Sequence, residues 1–221
     1  MCGRYTLTEP GQLLDELAVP AAGGAELPPR YNIAPTQGVA AVRQEEAGPR
    51  RLDLYRWGLV PFWADDLKIG NRLINARSET AATKPSFRHA WKRRRCLILT
   101  DGFYEWRKVE GGKQPIHIHR PERRGFTFAG LWEVWKKGDE PVESCTILTT
   151  EANEQIRRVH HRMPVILSGE ARDRWLDPAS DPAALQELMG PADLELELTP
   201  VSRLVNSPRN DTPRCLERVQ L

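Results

Sequence analysis

Cys2 is the first residue whose position could do chemistry. It follows Met1 directly, and its small side chain favours removal of the initiator. A mature chain beginning at Cys2 would carry an α-amine and a thiol on adjacent carbons. Such a 1,2-aminothiol captures aldehydes. The amine condenses to an imine, and the thiol then closes on the imine carbon to give a five-membered thiazolidine. The closure is intramolecular, so it has the advantage of an oriented internal nucleophile. Serine would be a poorer nucleophile, and an internal cysteine would have no amine. Taken alone, the position also fits a cysteine that merely follows the initiator, which is the commoner case.

Further along, other residues could serve such a reaction. Glu105 lies among Phe103, Tyr104 and Trp106. Buried there, its carboxyl would have a raised pKa and could exchange protons near neutral pH; on the solvent side of an alternating strand it would do nothing of the kind. His160 and His161 sit in a turn made rigid by Pro164, where one imidazole could carry protons; residue chemistry does not say which. Asn75 and Arg77 fall at a strand-to-helix junction, where free backbone N–H groups can meet an anion. The plainer alternatives are a turn asparagine and a surface cation. Phe62 and Trp63 follow Pro61 in a loop, as buried anchors or as platforms on which bases stack. His117 and His119 alternate on one strand face and imitate a metal pair. No third ligand stands near them, so they read as an exposed face, and no metal or other cofactor is expected.

The 221 residues are 40% hydrophobic and 28% charged, with a net charge of +2. That is ordinary for a globular protein and too weak a charge to indicate nucleic acid by itself. Two basic runs, Lys92–Arg95 and Arg157, Arg158 with Arg162, read most simply as solvated faces. No apolar run reaches membrane-span length and no secretory signal is expected. The four cysteines form no C-x-x-C pair. Cys96 and Cys145 sit in apolar runs as reduced core residues, which suggests the cytoplasm.

The elements that must position these residues are short. A helix over 9–18 is capped by Thr8, and a loop covers 21–29. Strands over 38–43 and 51–60 flank a charged hairpin. A short helix starts near Ser78. Strands follow over 95–100, 103–106, 115–119, 126–135 and 142–149, then a short helix over 151–158 and a strand over 165–167. Two further helices start near Ser168 and Asp181, the second closed by Gly190. Leu194, Leu196 and Leu198 alternate as a last strand, and the tail from Pro200 is extended.

Eight motifs in order resemble the SOS response-associated peptidase (SRAP) family. They are Met-Cys-Gly-Arg-Tyr at 1–5, Tyr-Asn-Ile-Ala-Pro at 31–35, Trp-Gly-Leu-Val-Pro at 57–61 and Leu-Ile-Asn-Ala-Arg-Ser-Glu-Thr at 73–80. Asp-Gly-Phe-Tyr-Glu-Trp at 101–106, Thr-Thr-Glu-Ala-Asn at 149–153, His-His-Arg-Met-Pro at 160–164 and Val-Ser-Arg-Leu-Val-Asn at 201–206 complete them. The resemblance implies an α+β fold: one domain over 1–221 with a curved, barrel-like, mainly antiparallel β core and flanking short helices. It also implies a protein that crosslinks to abasic sites in single-stranded DNA through its N-terminal cysteine, acting as a monomer in the cytoplasm, on the nucleoid when bound to DNA. By matching position, Cys2 is the nucleophile, Asn75 orients the reacting centre, Glu105 is the acid/base and His160 the catalytic histidine. Arg4, Arg77 and Arg162 would hold phosphates, Asn32 and Thr149 would line the pocket, and Trp63 would stack on a base. The alternatives are a Cys-His-Asn peptidase acting on its own N-terminus or on other proteins, with lyase activity a further possibility for the family, and a non-catalytic nucleic-acid module.

Overall fold

The structure is a computed structural model that describes residues 2–19, 27–46 and 48–220. Among these residues the strands are β1 (Tyr5–Leu7), β2 (Arg30–Ile33), β3 (Gly38–Gln44), β4 (Arg50–Trp57), β5 (Asn75–Arg77), β6 (Arg95–Thr100) and β7 (Gly102–Val109). They continue as β8 (Gly112–His119), β9 (Phe126–Trp135), β10 (Val142–Glu151), β11 (Arg162–Pro164), β12 (Ile166–Leu167) and β13 (Glu197–Pro200). The α-helices are α1 (Gly11–Glu16), α2 (Ser78–Ala81), α3 (Arg88–Arg93), α4 (Glu154–Arg157) and α5 (Glu170–Leu176).

Strands β10, β4, β3, β6 and β9 pair in that order, and β9 pairs back on β10, so the sheet closes into a barrel. Every pairing in the ring is antiparallel except β10 with β4. Closure removes the edges that an open sheet would expose. The whole of β6 is buried, because one face fills the barrel while α3 and α5 pack on the other. A second sheet runs β13-β8-β7-β1-β2. The chain crosses from barrel to sheet at Asp101, between β6 and β7. There the Asp101 carboxylate accepts hydrogen bonds from the Thr6 hydroxyl, the Thr8 hydroxyl and the Thr8 and Glu9 N–H groups.

The expected α+β class and barrel-like core are thus present. Local boundaries shift where tertiary partners claim a side chain. Thr8 does not cap α1, because its hydroxyl is held by Asp101. Neither Ser78 nor Ser168 caps a helix; Arg77 and Gly169 hold those positions. The helix expected over 151–158 shrinks to α4, capped by the Asn153 side chain. The Asp181 segment is a 3-10 turn, Ala184–Met189, ended at Gly190. Most of the loop expected over 21–29 lies outside the described residues. Strand β4 stops at Trp57 because Gly58 turns the chain at φ 125°. A Cβ on Gly58 would stand 2.5 Å from the Gly70 carbonyl oxygen, and one on Gly70 would stand 2.6 Å from that of Gly58. The two glycines let the loop carrying Phe62 and Trp63 close against its own base.

Two expectations are corrected. His117 and His119 are buried, with rings stacked at 4.9 Å, because β13 adds beside β8 and His117 faces Thr6 and Tyr104 across the sheet. The run Lys92–Arg95 is not a uniformly solvated face. Arg95 is buried and donates to the carbonyls of Trp91 and Lys92 at the end of α3 and of Trp175 and Asp177 at the end of α5. A cation there satisfies orphan carbonyls at the negative ends of two helices.

Candidate active site

Strand β1 delivers Cys2 to the interior. The Tyr104 N–H donates to the Arg4 carbonyl at 2.9 Å, so the chain before Arg4 runs back along β7 toward Glu105. Cys2 is fully buried, and its Sγ lies 3.7 Å from the Arg4 carbonyl oxygen. On the far side, β5 lies parallel to β10 with Asn75 opposite Ile147 and Arg77 opposite Thr149. The two-residue spacing puts Asn75 and Arg77 on one face. Asn75 Nδ2 donates to the Cys2 carbonyl at 2.7 Å. Its Oδ1 is buried with no hydrogen-bond partner among the described residues.

Glu105 is 4% exposed, so the buried alternative holds. Burial raises its pKa, which keeps a share of the carboxyl protonated further toward neutrality. Burial, and then the Glu105 charge, push the Cys2 thiol well above its ordinary range. This favours the thiol over the thiolate, so Cys2 needs a base to become a nucleophile. Of the two histidines, His160 is half-buried and His161 exposed, with their rings stacked at 4.4 Å. The Arg162 N–H donates to His160 Nδ1 at 3.0 Å, and the Arg162 carbonyl oxygen lies 3.2 Å from the same nitrogen, so Arg162 holds the imidazole from both sides of its peptide. Burial lowers the His160 pKa, and the charge of Arg162 adds to this. The His160–His161 turn stands within electrostatic reach of Glu105. Cys2, Asn75 and Glu105 are therefore brought together, with the histidine turn beside them.

The expected DNA contacts divide into two groups. Arg77 is exposed and lines an open recess of about 430 Å³ with Glu151, Arg157, His161 and Arg162. Arg162 itself is buried and holds Glu79 in a bidentate pair at 2.6 and 2.9 Å, with a further bond to the Thr149 carbonyl at 2.5 Å. Thr149 is fully buried behind it. Arg162 forms part of the recess wall, while Thr149 lies behind it and does not line the pocket as expected; Arg77 and Arg157 present charge to solvent. Trp63 is 41% exposed and Phe62 49%, on a loop whose backbone is fixed by Trp135 and Lys137. Of the two readings of these rings, burial is the one that does not hold, since both stand exposed.

Arg4 and Asn32 are not poised over the pocket as expected. Arg4 donates to Asn32 Oδ1 at 2.8 Å and to the carbonyls of Val205 at 2.6 Å and Asn206 at 3.2 Å. Asn32 is fully buried, and its amide donates to the carbonyls of Val205, Ser207 and Asn210. Together they clamp the C-terminal segment onto β1 and β2, which satisfies backbone acceptors that burial would otherwise strand. Sequence reasoning missed a second basic recess, of about 490 Å³, lined by Trp106, Lys113, Arg203 and Asn206. Trp106, which follows Glu105 in β7, brings this recess to the same strand as the candidate acid. Trp106, next to Glu105, was the available signal; Lys113 and Arg203 are too far apart in sequence to be linked to it. Among the described residues no group of His, Cys, Asp and Glu could hold a metal ion.

The chain was compared with known proteins. The family model described as SOS response associated peptidase (SRAP) matches residues 1–208. A Bacillus subtilis relative, abasic site processing protein YoqW, is 42% identical over 98% of this chain and 99% of its own. Abasic site processing protein HMCES of Gallus gallus is 38% identical over 87% of this chain and 67% of its own. A solved structure from Bordetella bronchiseptica superposes with a TM-score of 0.76 at 28% identity, covering 91% of this chain and all of that one. One from Bacteroides thetaiotaomicron gives 0.88 at 24% identity over 99% of this chain and 100% of its own, and shares the fold. With the eight motifs in order along the chain and a family match over nearly its whole length, the chain belongs to the SOS response associated peptidase family.

Proposed function

We propose that this chain processes abasic sites in single-stranded DNA by trapping the ring-opened sugar aldehyde on the aminothiol of Cys2. The names of the relatives support the abasic-site part of this reading. The observation that carries the rest is the Asn75 amide on the Cys2 carbonyl beside the buried carboxyl of Glu105.

The steps require removal of Met1. His160 donates a proton to the sugar ring oxygen as the bond from C1 to that oxygen breaks, and takes the proton of the C1 hydroxyl in return, so that the ring opens to the aldehyde. The Cys2 α-amine adds to the aldehyde carbon and forms a carbinolamine. Protonated Glu105 gives its proton to the departing hydroxyl, and water and an N-protonated imine result. The carboxylate so formed takes the proton of the Cys2 thiol while sulfur adds to the iminium carbon. The electron pair of the C=N bond goes to nitrogen, which keeps its hydrogen, and the neutral thiazolidine is closed. The balance is one aldehyde and one aminothiol in, one ring and one water out. A thiol held above its ordinary pKa attacks only where a base stands beside it, which confines the second step to the bound lesion. Asn75 fixes the Cys2 backbone so that amine and sulfur face one carbon.

The nearby basic recesses suit a phosphate backbone passing the centre, and the exposed rings suit bases beside the gap. Binding would be independent of sequence and weakened by salt, since an abasic site offers no base edge to read. Intact-mass analysis tests the reading. The protein should lack Met1 and gain the mass of an abasic oligonucleotide less one water. Retained Met1 with an adduct on another side chain would refute it. Cleavage of peptides without DNA would favour a thiol peptidase instead.

A further inference from the structure

Phe62 and His89 lie against each other at the barrel surface, with ring centroids 5.1 Å apart and planes at 58°. Phe62 comes from the loop after β4 and is 49% exposed. His89 comes from α3, and its side chain is 43% exposed. What stands behind His89 is unusual for a surface imidazole. Its Nδ1 lies 3.0 Å from Oε2 of Glu133 on β9, and that side chain is only 3% exposed. Glu133 is held in turn by Arg94 and by the Val134 N–H at 2.9 Å. The Arg94 guanidinium rests 5.2 Å from the ring of Trp132, with Arg43 at 4.4 Å from the same ring. A buried carboxylate is costly unless fully paired, so this network keeps one arrangement. The neighbouring ring, Trp63, is tied to the turn that precedes α3 by its Nε1 bond to the Pro85 carbonyl at 3.4 Å.

The backbone around Phe62 is fixed, but a half-exposed phenyl has its own rotamer freedom. Without a neighbour the ring would sample several wells and lose entropy on meeting a base. Resting on a locked imidazole, it is pre-ordered. We infer that His89, held by Glu133, is a positioning residue that fixes Phe62 as a second stacking surface beside Trp63 for bases flanking the lesion. This rests on the single-stranded DNA reading above and names how that surface is built. His89 acts through Phe62 and not by touching DNA.

The test is a double-mutant cycle on the full-length protein. The probe is a fluorescent single-stranded oligonucleotide carrying a tetrahydrofuran abasic analogue, which has no aldehyde and reports binding alone. Phe62→Ala should weaken affinity. His89→Ala should weaken it about fivefold, the lower end of one aromatic–base contact. In the Phe62→Ala background His89→Ala should have no further effect. His89→Phe, which keeps a ring against Phe62, should restore part of the loss. Thermal unfolding of each variant shows whether the fold survives. Should His89→Ala unfold the chain, Glu133→Gln, which loosens the imidazole while keeping side-chain volume, takes its place with the same expected dependence on Phe62. Equal effects of His89→Ala with and without Phe62, or none in either background while Phe62→Ala weakens binding, would overturn the inference and leave the DNA reading standing. No loss with Phe62→Ala and Trp63→Ala together would instead remove the stacking surface from the DNA reading itself.

Discussion

Replacing Asn75 with alanine should separate chemistry from stability. The substitution removes the 2.7 Å bond to the Cys2 carbonyl, a loss of about 1 kcal/mol net. It also removes Oδ1, a buried acceptor with no partner among the described residues, whose desolvation costs about 1–3 kcal/mol. The two contributions oppose each other. The side chain is only partly buried, so the cavity left behind is small. Net stability should therefore stay within about 1 kcal/mol of the parent, a shift of about 2–4 °C in Tm. The reaction has no such compensation. With its carbonyl untethered, Cys2 can drift by about 1 Å, and misplacement on that scale costs on the order of 100-fold. Single-turnover crosslinking to an abasic oligonucleotide, read on denaturing gels and by intact mass, measures the rate, and calorimetry measures Tm. Asn75→Asp keeps the shape but cannot donate to the carbonyl, so it should be as slow as alanine. An unchanged rate in either variant would refute the orienting role. A slow variant whose Tm has fallen by much more than this range would point to collapse of the N-terminal strand in place of lost alignment.

Glu105→Gln should slow crosslinking by about 10²–10⁴-fold, the usual contribution of one acid/base group. It should also raise Tm at neutral pH. The pKa of Glu105 is raised in the fold, so its ionisation favours the unfolded chain as pH climbs above about 4.3, and the variant escapes that loss. Melting curves across this range check the sign. Arg77→Ala removes an exposed cation from the recess and should weaken binding to all sequences alike, lowering the slope of log affinity against log salt by about 1 in titrations at several salt concentrations. His117, buried neutral with its pKa well below the ordinary value, should make the fold acid-sensitive. Stability should fall as pH drops below about 6.5, by up to about 1.4 kcal/mol per pH unit. His117→Gln should flatten that part of a denaturant-melting profile, and an unchanged slope would show that His117 does not titrate on unfolding.

Much of the architecture was legible because strand signals are local. Alternation and turn residues mark β3, β6, β9 and β10 within a residue or two of their observed ends, while the expected end of β4 overruns by three residues, past the turn at Gly58. The type of Cys2 and the aromatic neighbours of Glu105 point to chemistry from covalent identity alone, and the order of eight motifs points to the family. Whether the barrel closes was not local. It depends on β9 pairing both β6 and β10. Burial of the His117 face was hidden for the same reason, since the covering strand β13 comes some eighty residues later.

Side-chain roles divide along that line. The sequence determined which groups exist, a thiol beside the initiator methionine, a carboxyl among aromatic rings, a histidine pair and several arginines, because those are matters of covalent identity and spacing. Only the tertiary structure decided which arginines remain available. Arg162 is spent on Glu79 and Arg4 on the C-terminal clamp, while Arg77 still faces solvent. A guanidinium reaches carboxylates and carbonyls from anywhere in the chain, so its partner is set by which segments the fold brings alongside it.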